Sequence, residues 1–390
     1  MELGRKLKYG MVGGGPDAFI GGVHRMAAAL DGGMELVAGA FSSQPDKSKQ
    51  QGKALLLAPD RVYGSYQEMA EKEAKLPVGE RIDFVSIVIP NSMHYPVAMV
   101  FLNAGFHVIC DKPMTTTMAE AEDLIKLAKQ KGLIFGLTHN YTGYPMVKQA
   151  KQLVKDGKLG ALRKVVVEYP QGWLSTPIDA EGAKQAAWRT DPSQAGVSSC
   201  IGDLGSHAEN LARYITGLEI EELCADMTTF VPGRRLEDDG NILIHYKGGA
   251  RGVLYASQIS PGEENNLVIR VYGEKASLEW HQENPNYLSV KYLDKPMEIW
   301  ARGNGYLCAA AGANTRTPPG HPEGFLEAFA NIYRAVGKAI SAKLMGQTLN
   351  AADLDFPTAV DGAYGVHFIH KTVESGKAKG WIKADYSPSV

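Results

Sequence analysis

The sequence predicts an α/β protein, with an N-terminal doubly wound parallel sheet and a C-terminal α+β domain that contains a large, open, mainly antiparallel sheet. The chain has 390 residues, and single hydrophobic cores stop growing at about 250–300 residues. Strand and helix patterns alternate in the first third of the chain, whereas β-rich segments dominate afterwards. We therefore expect two domains, residues 1–138 and residues 139–390.

Short apolar runs that end in glycine or polar residues are typical of buried parallel strands. In the first domain such runs predict strands over residues 8–13, 35–41, 83–89, 107–110 and 133–138. Amphipathic segments predict intervening helices over residues 24–30, 46–57, 95–104 and 117–131. This alternation favours right-handed crossovers and a parallel sheet that binds ligands at the carboxyl ends of its strands.

The second domain begins with a predicted helix over residues 145–155. Alternating segments then predict strands over residues 163–169, 223–231, 241–246, 250–258, 267–272 and 275–280. Turn signals join neighbouring segments, which favours an antiparallel sheet. Helices are expected over residues 323–342 and 357–374, and the Pro/Gly-rich stretch 310–322 is predicted to be a long loop.

Composition excludes several classes of protein. The chain has 41 basic and 43 acidic residues, and its net charge of −2 is typical of neither a nucleic-acid-binding nor a membrane-surface protein. A signal peptide and long apolar runs are both missing, so a cytoplasmic protein is expected. The 4 cysteines are widely spaced, which predicts buried thiols and no metal site.

A glycine cluster follows the first predicted strand. Gly13 and Gly15 are placed as in the GxGxxG pattern, whose glycines let the backbone approach a pyrophosphate at a helix N-terminus, but Ala18 occupies the third glycine position. The loop is therefore lengthened, and Phe19 and Ile20 are further candidates for cofactor contact. A glycine turn without a ligand is the alternative, but the βαβ alternation that follows favours a dinucleotide.

The residues after the second strand bear on the choice of cofactor. An Asp or Glu at this point would bind the ribose hydroxyls of NAD, whereas the chain has Ser42 and Ser43. Small hydroxyl groups together with Lys47 or Lys49 could accept the 2′-phosphate of NADP, although these lysines could equally be solvated. The cofactor is therefore expected to be NAD or NADP.

Polar residues also follow the third and fourth predicted strands. Pro90, Asn91 and His94 come after the third strand, where Asn91 could bind a ribose or carboxamide and His94 could instead cap the next helix. Asp111 and Lys112 follow the fourth strand, and Lys112 could bind a substrate hydroxyl or simply pair with Asp111.

In the second domain, Asp203 and His207 are separated by about one helical turn, so both can project from one face of a helix. A neutral imidazole is a suitable general base near neutral pH because its ordinary pKa is about 6.5. The glycine loop, the lysine turn and this DxxxH spacing together indicate a nucleotide-dependent redox enzyme.

The combination resembles the Gfo/Idh/MocA family of glucose-fructose oxidoreductase and inositol dehydrogenase, over nearly the whole chain. Five motifs carry the resemblance. The family's EKP is similar to Asp111-Lys112-Pro113, its PNxxH to Pro90 to His94, and its DxxxH to Asp203 to His207. Its substrate-loop WR is similar to Trp188-Arg189, and its Asn after the last Rossmann strand to Asn140-Tyr141. Two positions depart from the pattern. Asp111 replaces the family's Glu, and Ser198-Ser199 replace a glycine pair before DxxxH.

The resemblance implies a Rossmann domain and an NAD(P)-dependent dehydrogenase that oxidises a secondary hydroxyl of a sugar, glycoside or cyclitol. It implies catalytic roles for Lys112, Asp203 and His207 and cofactor contacts from Asp111, Lys112 and Asn140. Substrate contacts are implied for Lys112, Tyr141, Trp188, Arg189, Asp203, His207 and His321. A homodimer or homotetramer through the C-terminal sheet is also expected.

Two other functions stay open at this point. Some members of such a family hydrolyse glycosides through transient C3 oxidation and elimination, with no net reduction of NAD. A non-catalytic nucleotide-binding sensor is the third reading, although the presence of Lys112, Asp203 and His207 together argues against it.

Overall fold

The computed structural model describes residues 3–16, 18–350 and 353–389. The described residues form two compact units, one within Met1–Asn140, Phe329–Ala363 and Ser389–Val390 and one within Tyr141–Ala328 and Tyr364–Pro388. The predicted division at residue 138 assigned residues 329–363 to the second domain, whereas the structure packs this segment in the first unit. The segment packs there because its apolar side chains are buried: Phe329, Tyr333 and Val336 are at most 2% exposed.

The first unit contains a five-stranded parallel sheet with the order β2-β1-β3-β4-β5. Its strands are β1 (Leu7–Gly13), β2 (Met34–Ala40), β3 (Phe84–Val88), β4 (His107–Cys110) and β5 (Phe135–Leu137). The helices are α1 (Phe19–Ala29), α2 (Pro45–Ala54), α3 (Tyr66–Ala74), α4 (His94–Asn103) and α5 (Met118–Lys131). The predicted parallel sheet is confirmed.

Local sequence explains how the elements of this unit begin and end. Helix α5 starts at a capping box formed by Thr117 and Glu120 and ends at Gly132, whose φ of 64° is accessible to glycine at little cost. Strands β3 and β4 are buried along their whole length, which accounts for their uninterrupted apolar sequence.

The second unit contains a nine-stranded sheet with the order β13-β12-β11-β10-β6-β9-β8-β7-β14. Its strands are β6 (Leu162–Pro170), β7 (Ile220–Thr228), β8 (Asp239–Tyr246), β9 (Arg251–Ser257), β10 (Val268–Gly273), β11 (Ala276–His281), β12 (Tyr287–Tyr292), β13 (Glu298–Ala301) and β14 (Ile382–Lys383). Its helices are α6 (Pro145–Lys155), α7 (Lys184–Thr190), α8 (Pro192–Ala195), α9 (Ser206–Thr216) and α10 (Ala309–Ala313).

The mainly antiparallel character of this sheet is confirmed, with one exception. Strands β6 and β9 pair in parallel at its centre, with Tyr169 opposite Ala256. The carboxyl ends of these two strands therefore lie side by side. Helix α9 packs on this part of the sheet because Ala208, Leu211 and Ile215 recur at helical spacing and are buried.

The two longest helices are α11 (Phe325–Leu344) and α12 (Ala359–Ala378), and α12 is followed by strand β14. Strands β12 and β13 were not predicted, and part of α10 was predicted to be a loop. Throughout the described ranges, no helix combines the length and the apolar character that crossing a membrane requires.

Candidate active site

The loop after β1 is built from closely approaching glycines. Gly13 and Gly14 have φ values of 83° and 65°, and a Cβ atom on Gly13 would lie 2.1 Å from the carbonyl oxygen of Val88. A Cβ atom on Gly21 would lie 2.4 Å from the Cα atom of Gly14. Gly21 thus provides the close contact between loop and helix that the third glycine of a dinucleotide motif normally provides.

This contact agrees with the prediction that the loop is lengthened, because Gly21 lies three residues after Ala18, which occupies the third glycine position of the pattern. Ala18 is the N-cap of α1 and has no polar side chain, so it leaves the first N–H groups of the helix without a side-chain cap. Phe19 and Ile20 form the first turn, and the ring of Phe19 is 75% exposed. Arg25 fixes the loop by donating to the carbonyl oxygen of Gly14 over 2.8 Å.

The end of β2 presents hydroxyl groups and no carboxylate. The hydroxyl of Ser42 accepts a hydrogen bond from the backbone of Gln44 over 3.1 Å, and Ser43 is exposed. Phe41 is buried, and its backbone N–H donates to Ser48. The loop therefore has a defined conformation at the predicted ribose position.

His94 connects the loops that follow β3 and β4. Its Nδ1 lies 2.8 Å from the carbonyl oxygen of Pro113 and its Nε2 lies 2.9 Å from that of Ile89. The ring is fully buried, and this burial lowers its pKa. His94 was predicted to contact the cofactor, and in the structure both ring nitrogens lie within hydrogen-bond distance of backbone oxygens, to one of which the neutral ring can donate. It therefore positions the segment that contains Pro90 and the buried Asn91.

Asp111 organises the turn that carries Lys112. Its Oδ1 accepts hydrogen bonds from the Lys112 backbone and from the Thr138 hydroxyl, each over 2.9 Å. Its Oδ2 lies 3.8 Å from His24 Nε2. Burial raises the pKa of Asp111, but the contact with His24 and the nearby charge of Lys112 outweigh this effect, so the pKa is lowered overall. Asp111 is therefore a carboxylate.

A buried polar chain continues from this turn into the core of the first unit. His24 Nδ1 lies 2.7 Å from the hydroxyl of Tyr333, which lies 2.7 Å from the hydroxyl of Ser86. All three side chains are at most 1% exposed. The chain ties helix α1 and strand β3 to helix α11, and it fixes the imidazole that faces Asp111.

Asn140, immediately after β5, has an unusual environment. The residue is 3% exposed, and its Nδ2 has no hydrogen-bond partner within the described part of the chain. Leaving such a donor unpaired is costly unless a ligand accepts from it. Asn140 therefore fits the predicted role in cofactor binding.

In the second unit, two donors converge on the carboxylate of Asp203. Arg189 Nε and Gln258 Nε2 each donate to its Oδ2 over 3.1 Å. Asp203 lies in a π-helical turn, Ile201–Gly205, that leads directly into α9. The predicted DxxxH segment is thus helical, with the carboxylate held by Arg189 of helix α7 and by the buried Gln258 that follows β9.

Arg189 is itself held between aromatic rings. Its guanidinium lies 4.3 Å from the ring centre of Trp188 and 5.8 Å from that of Trp173. Gln185 accepts from both Arg189 Nη1 and Trp188 Nε1. The structure therefore brings the predicted pair Trp188 and Arg189 together with Asp203.

His207 lies against an aromatic wall. The ring centres of Tyr141 and Tyr169 are 4.7 Å and 6.3 Å from that of His207. The two tyrosine hydroxyls are 2.5 Å apart, while Tyr169 donates to Asn265 Oδ1 over 2.7 Å. Burial raises the pKa of both tyrosines, so both are neutral donors.

These contacts change the role expected for Tyr141. It was predicted to bind a substrate hydroxyl, but Asn265 donates to its hydroxyl over 3.2 Å and Tyr169 accepts from it. The ring is 4% exposed. Tyr141 therefore orients the His207 ring, while its hydroxyl is bound inside the protein.

Glu237 anchors the segment that leads into Asp203. Its Oε1 accepts from the Ser198 hydroxyl and from the backbone N–H groups of Ser199 and Ile201, at 3.1 Å and 3.0 Å for the latter two. Ser198 in turn accepts from the Gly202 N–H. Of the two serines that replace glycines in the family pattern, Ser198 therefore binds Glu237 through its side chain, whereas Ser199 binds it through its backbone N–H.

Glu237 should make the stability of this unit depend on pH. Burial raises its pKa from 4.5 to about 7, so the folded chain keeps a proton that the unfolded chain releases between these values. The free energy of unfolding should therefore fall as pH rises through this window. Glu237→Gln should gain up to about 3 kcal/mol relative to wild type between pH 5 and pH 8. Urea unfolding at both pH values measures this change.

The exposed Glu181 provides a control for the same measurement. Glu181→Gln should leave the pH dependence of wild type unchanged. Parallel pH dependences for wild type and Glu237→Gln would show that Glu237 is ionised throughout.

The sequence comparison assigns the chain to a family. Residues 7–139 match the model described as an oxidoreductase family with an NAD-binding Rossmann fold, and residues 147–279 match the GFO/IDH/MocA C-terminal domain. The chain belongs to the Gfo/Idh/MocA family. The uncharacterized oxidoreductase YfiI of Bacillus subtilis is 36% identical over 385 residues, which cover 98% of each chain.

Solved structures match this chain over nearly its whole length. An inositol dehydrogenase homolog from Azotobacter vinelandii, complexed with NAD+, is 35% identical with a TM-score of 0.93 and 98% coverage of both chains. An oxidoreductase from Sinorhizobium meliloti is 44% identical with a TM-score of 0.88, covering 97% of this chain and 100% of the other. The predicted resemblance is confirmed.

The first unit fits the NAD-binding Rossmann domain of this family. The close approach of Gly14 and Gly21, the uncapped start of α1 and the unpaired Nδ2 of Asn140 are all suited to a dinucleotide. The cofactor candidate Gly13 ends strand β1, and Gly15, Ser42, Asn91 and Lys112 each follow the carboxyl end of a strand.

Sequence reasoning missed several residues of the second unit, and it misplaced one. Tyr169 and Gln258 end two predicted strands, and this terminal position was the available signal. Asn265 and Glu237 lie in loops and carried no such signal. His321 was grouped with Arg189, but the structure places it at a separate cavity, alongside Asn265 and Gln282.

Proposed function

We propose that the chain is an NAD(P)-dependent dehydrogenase that oxidises a secondary hydroxyl of a sugar, glycoside or cyclitol. The observation that carries this proposal is the arrangement around Asp203, whose carboxylate is held by Arg189 and Gln258 one helical turn before His207. A fixed carboxylate beside an oriented imidazole is suited to general-base catalysis.

Each residue has a separate role in this reaction. His207 takes the proton from the substrate hydroxyl, and Asp203 stabilises the positive charge that develops on the imidazole. Lys112 donates a hydrogen bond to the reacting oxygen as it becomes a carbonyl. When bound, a nicotinamide cofactor would supply the acceptor for the hydride that leaves the carbinol carbon.

Two observations support this substrate class: the side chains next to Asp203 in the second unit, and the ligands named for two relatives. Trp188 and Arg189 provide an aromatic face and a donor, which together suit a polyhydroxylated ring. The Azotobacter vinelandii homolog has a structure complexed with NADH and myo-inositol, at 35% identity and a TM-score of 0.90. A levoglucosan dehydrogenase is 24% identical over 82% of both chains.

A panel of free sugars, inositols and glycosides tests the proposal, with NAD and NADP measured in parallel. Formation of NAD(P)H together with a keto product is the expected result. Cleaved glycoside without net NADH would indicate the alternative hydrolytic reaction. Cofactor binding without any conversion would favour the sensor function.

Ser42→Asp should shift the cofactor preference towards NAD. A carboxylate at the end of β2 accepts hydrogen bonds from the ribose diol and repels a 2′-phosphate. The Gln44 N–H that now donates to Ser42 can donate to the aspartate instead, so the loop is preserved. The NAD/NADP ratio of kcat/KM should rise about 10-fold or more, since this is the scale of one charge contact.

Ser42→Asn is the matched control, because it has the same shape without the charge. It should leave the ratio within a few-fold of wild type. An unchanged ratio in Ser42→Asp would mean that the cofactor ribose lies elsewhere.

We also propose that the chain forms a homodimer or homotetramer through the sheet of the second unit. The sheet carries exposed apolar side chains, among them Leu243, Tyr272 and Ile299. Sedimentation analysis of wild type and of a Leu243→Glu/Ile299→Glu variant tests this assembly.

A further inference from the structure

The surroundings of His24 determine which of its ring nitrogens carries the hydrogen. Asp111 is a carboxylate, and a carboxylate can only accept hydrogen bonds. Its Oδ2 lies 3.8 Å from His24 Nε2, and this nitrogen is buried with no hydrogen-bond partner among the residues that the structure describes. Because a lone pair on Nε2 would be repelled by the negative carboxylate, the ring hydrogen belongs on Nε2.

This assignment fixes the direction of the other bonds in the buried chain. Burial raises the pKa of Tyr333, so its hydroxyl keeps its proton. In a neutral ring that carries its hydrogen on Nε2, Nδ1 is an acceptor, and Tyr333 donates to it over 2.7 Å. The Tyr333 oxygen then accepts from the hydroxyl of Ser86 over 2.7 Å. The hydrogen bonds of the chain therefore run from the core towards Asp111.

The attraction between His24 and Asp111 acts where water is excluded. The His24 ring is 0% exposed, and Phe329 and Tyr333 pack against it edge-on, with ring centres 4.7 Å and 5.8 Å away. At 3.8 Å the contact is too long for a hydrogen bond, but an N–H dipole that faces a charge is effective at low dielectric. His24 therefore favours the ionised form of Asp111.

The ionised carboxylate of Asp111 in turn holds the lysine turn. Its Oδ1 accepts from the Lys112 backbone and from the Thr138 hydroxyl, and such bonds are stronger when the acceptor is charged. Thr138 follows β5, so these two bonds also connect the turn after β4 to the neighbouring strand. Loss of the charge on Asp111 would weaken both bonds and loosen the turn.

We propose that His24 is a positioning residue for Lys112, because its Nε2–H faces and orients the carboxylate that binds the Lys112 backbone. This inference rests on the proposed function, in which Lys112 donates to the reacting oxygen. His24 acts through Asp111 and not on the substrate, since its ring is fully buried.

Two substitutions separate the roles of the ring nitrogens. Glutamine places its amide nitrogen near the position of Nε2, whereas asparagine places its amide group near that of Nδ1. His24→Gln should therefore keep kcat within a few-fold of wild type. His24→Asn should lower kcat by roughly 10- to 100-fold, since a misplacement of about 1 Å can cost a reaction this much. The affinity for NAD(P)H should stay near that of wild type in both variants.

His107→Asn is the matched control, because His107 is also buried in the first unit and lies at the opposite end of β4 from Asp111. Asparagine can still accept from the Ile134 N–H, which now donates to His107 Nδ1. This variant should change neither kcat nor the affinity for NAD(P)H.

Hydrogen exchange of the Lys112 amide provides a second readout that does not depend on turnover. This amide donates to Asp111, so its exchange should be about 10-fold faster in His24→Asn than in wild type, and unchanged in His24→Gln and His107→Asn. Tyr333→Phe removes only the hydroxyl that donates to Nδ1, and it should give a smaller change in the same direction. It tests the chain if a His24 variant does not fold.

Slower turnover and faster exchange in His24→Asn but not in His24→Gln would support the inference. Equal effects of the two substitutions, a larger effect in His24→Gln, or a loss of NAD(P)H affinity in place of kcat would overturn it. If the His24 variants do not fold, wild-type kcat and exchange in Tyr333→Phe would overturn it as well. Faster exchange in His24→Asn, with no oxidation of any sugar or cyclitol by wild type, would overturn the proposed dehydrogenase function alone.

Discussion

Lys112→Met lowers kcat by roughly 100-fold or more while the affinity for NAD(P) stays near that of wild type, if Lys112 acts on the reacting oxygen. Asp111 holds the Lys112 backbone through a hydrogen bond of 2.9 Å, and this bond does not depend on the lysine side chain. Methionine has a similar length and lacks the donor, so the turn should be retained. Steady-state kinetics and fluorescence titration with NADH measure the two quantities.

Lys129→Met is the control, since Lys129 is exposed on α5 and lies outside the proposed site. It should change neither quantity. Near-normal turnover in Lys112→Met would remove Lys112 from the chemistry, and a parallel loss of NADH affinity would place it in cofactor binding instead.

The fold of the first unit could be predicted because its signals are local. Each buried strand is an apolar run of a few residues, and each is followed by a polar or glycine turn at the ligand edge of the sheet. Gly13, Asn91 and Lys112 were found in this way. The position of residues 329–363 was not predictable, since Tyr333 contacts His24 across 309 positions of the sequence.

Two features of the second unit could not be predicted from local sequence patterns. Strand β13 has four residues and lies at the edge of the sheet, so it carries little apolar pattern. The parallel pairing of β6 and β9 is a property of topology that alternation within either strand does not reveal. This pairing brings Tyr169 and Gln258, which end two distant segments, to the same edge.

The site residues that were missed act through long-range contacts. Gln258 reaches Asp203 across 55 positions, and Glu237 reaches Ser199 across 38. Neither residue type marks a site by itself, because buried Gln and Glu side chains usually satisfy structural hydrogen bonds. The DxxxH spacing predicts the pair that we propose to react, whereas the residues that hold Asp203 became visible only in the fold.

His207→Ala should reduce kcat/KM by roughly 10²–10⁴-fold at neutral pH, the range typical of a lost general base. The loss should be smaller at high pH, because hydroxide can partly replace a base. For wild type, kcat/KM should fall as the pH is lowered, because the imidazole becomes protonated. This acidic limb of the pH profile should be missing in His207→Ala. The pH profile of kcat/KM for the oxidised substrate measures both effects.

His281→Ala, at a half-buried histidine that pairs with Glu279, should keep the acidic limb and thus controls for a general effect of histidine removal. Asp203→Asn should lose activity in the same direction as His207→Ala but keep cofactor affinity, because Asp203 acts on the imidazole. It should also release Arg189 and Gln258 from a charged acceptor. If His207→Ala retained the acidic limb of wild type, another group would be the base. Lys112 would then be the first residue to test, and His207 would be left with a role in substrate binding.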